Sequence, residues 1–245
     1  MVILIACATF VSTMIGGTFA LKLKDKLHLV LGFSAGAVVA VAFFDLLPEA
    51  LDIGSKFYDL GTIVSATAGG FLLYLFLDRL IFLHSHSDEP AEGHGAHAGN
   101  PSRGVLGAGS LSFHSFLDGV AIGIAFQVSS AVGAVVAVAV LAHDFSDGIN
   151  TVNLVLKNGG TTAFARKFLL ADAIAPVLGV ISTMFFSVPE NFLSLLLASF
   201  AGFFLYIGAS DLIPESHHAH PRFQTTLMTA LGMGVLFVII RLASI

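Results

Sequence analysis

At 245 residues, with 56% apolar side chains, only 11% charged ones and a mean hydropathy of +0.91, the chain lacks the composition of a soluble domain, in which about a quarter of residues are charged. These figures exclude a nucleic-acid binder, a disulfide-stapled secreted module and a disordered chain, and the single cysteine, Cys7, cannot close an internal disulfide. A bilayer crossing takes about 20 apolar residues, which leaves room for roughly eight crossings and short loops. The expected fold is all-α and polytopic: eight transmembrane helices in a 3+2+3 arrangement with an inverted repeat.

Apolar runs between charged and Pro/Gly breaks place the spans at about 2–20, 29–51, 60–82, 104–127, 131–155, 164–187, 191–213 and 223–244, all within one transmembrane domain, 1–245. The first run is read as a retained helix. No basic stretch precedes it, although Leu4, Ile5, Ala6 and Cys7 resemble a lipoprotein cleavage box. Span two ends in Asp45, Leu46, Leu47, Pro48, Glu49. Within it, Gly32, Phe33, Ser34, Ala35, Gly36 matches the serine-hydrolase elbow in form, but that motif needs a strand, a turn and a helix. Close glycines such as Gly32 with Gly36 and Gly119 with Gly123 instead let helices approach in lipid. After span three, a loop at 84–102 carries His84, His86, His94 and His97 among Asp88, Glu89 and Glu92. Its composition is that of a solvated tract, a linker or a weak metal buffer.

Spans four and five carry the central motif. One reads His114, Ser115, Phe116, Leu117, Asp118, Gly119; the other reads His143, Asp144, Phe145, Ser146, Asp147, Gly148. In each, His and Asp stand one helical turn apart on one face, near mid-span. Two imidazoles and two carboxylates that converge there suit Zn²⁺, with Fe²⁺, Mn²⁺, Co²⁺ or Cd²⁺ as lesser candidates, and the lack of soft sulfur ligands argues against Cu⁺. Ser115 and Asp144 point about 100° away, toward a second, adjacent cation sharing Asp118 and Asp147. Asp172 in span six is a further candidate ligand. Span seven ends in Asp211, Leu212, Ile213, Pro214, Glu215, echoing span two, and is followed by His217, His218 and His220.

Orientation follows from the basic residues, which gather on the cytoplasmic side. With both termini extracytoplasmic, Lys22, Lys24, Lys26, Arg79, Arg103, Lys157, Arg166, Lys167 and Arg222 lie inside, whereas only Lys56 and Arg241 lie outside. The span-two carboxylates, Asp45 and Glu49, then face outward to collect cations, while Asp211, Glu215, His217 and His218 face inward to receive them. That mirrored placement is what an inverted repeat of spans one to three with six to eight generates around a midplane site.

Each intramembrane carboxylate costs about 2.5 to 3.5 kcal/mol on insertion scales. Almost no Lys or Arg lies at the depth of Asp118, Asp144, Asp147 and Asp172, so protons or bound cations must compensate them. Two divalent ions would balance four carboxylates. An intramembrane zinc hydrolase is the alternative function, but it calls for an open three-ligand site or His-Glu-x-x-His, which the sequence lacks. A metal-gated sensor would need a soluble output domain, and no stretch is long enough for one.

On the repeated His-x-x-x-Asp-Gly motifs, the eight spans, the external termini and the His-bearing third loop, the chain resembles the ZIP (Zrt- and Irt-like) divalent-metal transporters, in particular their prokaryotic members. The resemblance implies a non-enzymatic carrier in the cell (inner) membrane that brings zinc or a similar ion into the cytoplasm by alternating access. It implies an elevator-like movement of one helix bundle against another, often in a homodimer. The family's metal centre maps onto His114, Asp118, His143 and Asp147, and its second site onto Ser115, Asp144 and the shared Asp118 and Asp147. Many members have Asn in place of Ser115 and Glu in place of Asp118 or Asp147. Some place Glu directly before the span-six proline, where this chain has Ala175 before Pro176 and Asp172 a turn earlier.

Overall fold

The structure is a computed structural model that describes residues 1–19, 27–86, 101–218 and 223–243, which are helical almost throughout, with no strand among the described residues. The helices are α1 (Val2–Phe19), α2 (Leu27–Val41), α3 (Leu47–Gly54), α4 (Leu60–His86), α5 (Pro101–Val128), α6 (Ser130–Lys157), α7 (Thr162–Thr183), α8 (Glu190–Tyr206), α9 (Ile213–His218) and α10 (Phe223–Ala243). A π-helical turn, Ala42–Leu46, carries α2 into α3, and another, Ile207–Leu212, carries α8 into α9. With those turns counted as continuations, the helices among the described residues form eight rods, compatible with the eight expected spans.

Six stretches among the described residues are long and apolar enough to cross a membrane: His28–Gly54, Leu60–Leu77, Gly104–Val128, Ser130–Leu156, Glu190–Ser210 and Phe223–Leu242. Of the other two rods, the apolar stretch of α1 is shorter, and α7 carries Arg166, Lys167 and Asp172. Helix α4 continues through His86, so His84 and His86 sit on its last turns and not in the loop expected at 84–102; His94 and His97 lie outside the described residues.

Local chemistry sets the boundaries. Ser129 caps α6 by accepting from the Val132 amide, and Thr161 caps α7 by accepting from the Phe164 amide. The turn between α6 and α7 uses Gly159 at a φ of 82°, in the left-handed region that favours glycine. Pro48 follows a π turn, and the rod stays helical to Gly54; such single π turns occur where the regular ladder is interrupted.

The rods meet at reciprocal glycine crossings. A Cβ on Gly119 would fall 2.0 Å from the Pro176 carbonyl oxygen, and one on Gly179 would fall 2.2 Å from that of Phe116, which seats α5 on α7. Gly148 stands in the same relation to Thr13, and Gly16 to Phe145, which seats α6 on α1. The scheme recurs between α2 and α10, with Gly36 on Thr229 and Gly232 on Phe33, and between α4 and α8, with Gly70 on Ser199 and Gly202 on Thr67. Each glycine rests on a carbonyl three residues before the partner's glycine, so the backbones approach as closely as small residues in lipid permit. The helices thus form two groups: α1, α5, α6 and α7 pack together, as do α2, α3, α4, α8, α9 and α10, with α2 against α6 as the main seam between them.

Direction is settled by the ends. Gly54 lies against Ser194, and Lys56 pairs with Glu190 at 4.0 Å, so α3 finishes beside the start of α8. Gln127 at the end of α5 donates to the Thr183 and Phe186 carbonyls and accepts from the Val188 amide, which joins the α7–α8 link to it. The rods containing Pro48 and Pro214 therefore run antiparallel.

The glycine crossings give a paired test. Gly70→Ala places a methyl against the Ser199 backbone and lowers the thermal midpoint of the purified chain, by the ~1–3 kcal/mol typical of overpacking. Gly69→Ala, at a position with nothing within 4 Å, leaves the midpoint where it was.

Candidate metal centre

Helices α5 and α6 cross the core side by side, and the one-turn spacing of His and Asp on each turns both pairs into their common face. One ligand atom from each of His114, Asp118, His143 and Asp147 falls within a set whose members all lie within 4.8 Å of one another. The two imidazole centroids are 5.7 Å apart. His114 Nε2 is 3.2 Å from Asp118 Oδ2 and 3.7 Å from Asp147 Oδ2; His143 Nε2 is 3.3 Å and 3.8 Å from the same two oxygens. All four residues are buried.

The placement of donors and acceptors calls for a positive charge. His143 Nδ1 lies 2.9 Å from the Ala139 carbonyl oxygen, which only accepts, so Nδ1 carries a hydrogen. A neutral ring then turns its Nε2 lone pair toward carboxylate oxygens, which is repulsive. A proton between Nε2 and a carboxylate oxygen, carried by either, or a metal ion among the four groups removes the conflict. Two nitrogens and two oxygens at this reach match the tetrahedral preference of Zn²⁺.

The other expected ligands fall beside this set. Asp144 is fully buried, and neither of its carboxylate oxygens has a hydrogen-bond partner among the described residues. Ser115 Oγ lies 2.8 Å from Asp172 Oδ1 and 3.1 Å from the Leu111 carbonyl, while Thr151 donates to Asp172 Oδ2 at 2.9 Å. Asp172 thus reaches the α5–α6 pair from α7, but two hydroxyls hold both of its oxygens. Outside the cluster, Asp45 sits in the first π turn with Oδ2 buried and without a hydrogen-bond partner among the described residues, and Glu49 follows one turn on. The side chains of Asp211, Glu215 and His218 lie outside the described set, as does His220. His217 Nδ1 faces the Ile213 carbonyl at 2.9 Å and Nε2 faces Thr226 Oγ1 at 3.2 Å, tying α9 to α10.

Three contacts have no motif behind them. Ser34 donates to the Ala142 carbonyl at 2.6 Å, holding α2 to the turn before His143. Thr151 braces Asp172. Tyr74 of α4 hydrogen-bonds His114 Nδ1. A signal for Tyr74 did exist: the chain uses 23 Phe and only 3 Tyr, so a phenol in mid-span is a marked choice.

An all-helical multi-pass membrane protein with a buried two-His, two-carboxylate cluster is a class that the comparisons narrow further. The family described as ZIP Zinc transporter matches residues 100–240, which include both motif helices, and the chain belongs to that family. It is similar to Zinc transporter YKE4 of Saccharomyces cerevisiae, at 25% identity over 217 residues, covering 79% of this chain and 62% of the relative. It is also similar to Zinc transporter foi of Drosophila melanogaster, 29% identical over 129 residues, 53% of this chain and 18% of the relative. Zinc transporter ZIP10 of Danio rerio is 33% identical over 115 residues, 46% of this chain and 13% of the relative. The chain therefore spans less than two thirds of each of these relatives.

If the cluster is stable only when filled by a cation, Zn²⁺ raises the thermal midpoint of the purified chain in detergent. An ion at about a hundred times its dissociation constant adds roughly 2.7 kcal/mol to a fold that alone binds it. Asp118→Ala and His143→Ala abolish the shift, as does a chelator added to the native chain.

Proposed function

We propose that this chain carries divalent transition-metal ions, zinc foremost, across the membrane and into the cytoplasm, through His114, Asp118, His143 and Asp147. The observation that supports this reading best is the convergence of four buried ligand atoms from two antiparallel helices, one of them a histidine whose other nitrogen is already committed to a backbone carbonyl. The ion exchanges its water shell for these four groups and leaves when the helices shift. Fe²⁺, Mn²⁺, Co²⁺ and Cd²⁺ fit the same donors less well. The hydrolase alternative loses its ground, since the matched family is one of transporters and the donor set is closed at four.

The carboxylate of Asp144, neither oxygen of which is hydrogen-bonded among the described residues, supports a second, adjacent cation site that shares Asp118 and Asp147 and takes Ser115 and Asp172 as further ligands. Asp45 and Glu49 gather ions at the outer mouth, and Asp211, Glu215, His217 and His218 line the inner one. In this orientation both termini are extracytoplasmic, in the cell (inner) membrane, with the histidines that follow α4 on the cytoplasmic side. The two helix groups supply the moving parts: α1, α5, α6 and α7 shift as a unit along the α2–α6 seam against the rest. Protons exchange with the cluster as it empties, because several carboxylates this close do not all remain charged in a low dielectric.

Zinc flux into proteoliposomes containing the purified chain tests the reading. His143→Ala and Asp147→Ala reduce flux to the rate of protein-free vesicles, and undiminished flux in both removes the assignment. Asp144→Asn weakens a second binding event while leaving the first. An imposed pH gradient changes the rate, and indifference to it removes the proton exchange alone.

A further inference from the structure

The two ligand histidines are held differently. His143 Nδ1 is fixed within its own helix by the Ala139 carbonyl, one turn earlier. His114 Nδ1 meets Tyr74 Oη, which comes from α4, in the other helix group. The rings of Tyr74 and His114 meet edge to face at 5.7 Å. Tyr74 is in turn wedged by Phe203 at 5.5 Å and Tyr206 at 5.3 Å, both on α8, which the Gly70 and Gly202 crossing locks to α4. The phenol therefore sits on a fixed support, and the imidazole it touches belongs to the helix pair that carries the metal cluster.

We propose that Tyr74 is the positioning residue for His114: its hydroxyl takes the Nδ1 hydrogen and so aims the Nε2 lone pair into the metal centre, but only while α5 lies against the α4–α8 pair. A ligand histidine whose second nitrogen is hydrogen-bonded is fixed in tautomer and ring angle, and loss of such a partner costs about 10- to 100-fold in metal affinity. The phenol suits this task better than a carbonyl. It accepts from Nδ1–H when Nε2 holds the metal and donates to Nδ1 when Nε2 carries the hydrogen toward Asp118, so it serves the filled and the empty site alike. His143, facing a carbonyl, has no such choice. Metal affinity thereby depends on how the two helix groups are docked: sliding α5 away from α4 frees the His114 ring and loosens the ion, whereas the His143 side of the site is unaffected. This inference rests on the metal-centre reading above and adds to it a residue outside the ligand set.

The test is Tyr74→Phe in the full chain. The substitution removes one oxygen and keeps the ring packed against Phe203 and Tyr206. Zinc affinity, measured by competition with a chelating dye, falls about tenfold, while the metal-free thermal midpoint stays the same. Tyr58→Phe, which removes a phenol hydroxyl from the turn between α3 and α4, outside the metal centre, leaves affinity within about twofold. Imidazole ¹⁵N spectra of the zinc-loaded native chain supply a readout that packing alone does not move: His114 shows a protonated, hydrogen-bonded Nδ1 and a metal-bound Nε2. Native zinc binding with unchanged affinity in Tyr74→Phe overturns the role of Tyr74 and leaves the metal centre standing. So does metal on Nδ1 of His114 in the native spectra, which decides the matter even if the variant does not fold. A native chain that binds no zinc overturns both.

Discussion

Burying carboxylates in an apolar bundle is the constraint on which the rest of this molecule turns. Asp118, Asp144, Asp147 and Asp172 all lie in the core, and Asp144 has no hydrogen-bond partner for either oxygen among the described residues. Leaving such groups charged and uncompensated would exceed what a marginally stable fold tolerates. The molecule answers by three routes at once. It sets two imidazoles among Asp118 and Asp147, it gives Asp172 two hydroxyls, and, on the proposed reading, it leaves Asp144 to a cation. Carbonyls and hydroxyls brace the cluster from behind, so the donors stay in place whether or not an ion is among them. A buried cluster of this kind is compensated by a proton or a metal ion among its donors.

That geometry depends on how closely the helices pack, and glycine sets it. The crossing that joins α5 to α7 lies one residue past Asp118, at Gly119, and the crossing that joins α6 to α1 lies one residue past Asp147, at Gly148. The ligand carboxylates are therefore anchored beside the closest backbone contacts in their group. A side chain at either glycine would push a supporting helix outward and carry the adjacent ligand with it. The Gly that ends each His-x-x-x-Asp-Gly motif is thus part of the metal centre although it offers no donor atom.

The motif was legible in the sequence because a helix converts spacing into direction. His and Asp four apart share a face, and two such pairs on consecutive spans have few other partners of their kind. The mirrored Asp-Leu-x-Pro-Glu segments were legible as well, although the π turns that carry them were not, since nothing in the composition of Ala42–Leu46 or Ile207–Leu212 distinguishes a π turn from ordinary helix. What the spacing could not give is the angular placement of one rod against another. Ser115 and Asp172 both carry ligand-type atoms near the site, but which of them faces an ion depends on that angle. In the structure they face each other. Tyr74 stayed hidden for the same reason, since its partner lies 40 positions along the chain.

The two halves are alike in pairing and unlike in bulk. Asp45 and Asp211, Pro48 and Pro214, and Gly36 and Gly202 stand at one constant separation in the chain, so α2 and α8 can be read position against position. On the α2 face that includes Ser34, the corresponding pairs are Ser34 with Phe200, Val38 with Phe204 and Val41 with Ile207. The small set lets α2 lie along α6 closely enough for the Ser34 hydroxyl to reach the Ala142 carbonyl. The large set keeps α8 off α5, and Phe200, Phe203, Phe204 and Ile207 instead line a crevice with Tyr74, Leu117, His114 and Asp118. Exchanging the packing of the halves would require α8 to meet α5 as α2 meets α6. Three bulky side chains oppose that. The resting arrangement is therefore biased by side-chain volume, closed along the α2–α6 seam and looser between α5 and α8, and the hydrogen bond from Tyr74 to His114 spans the looser side.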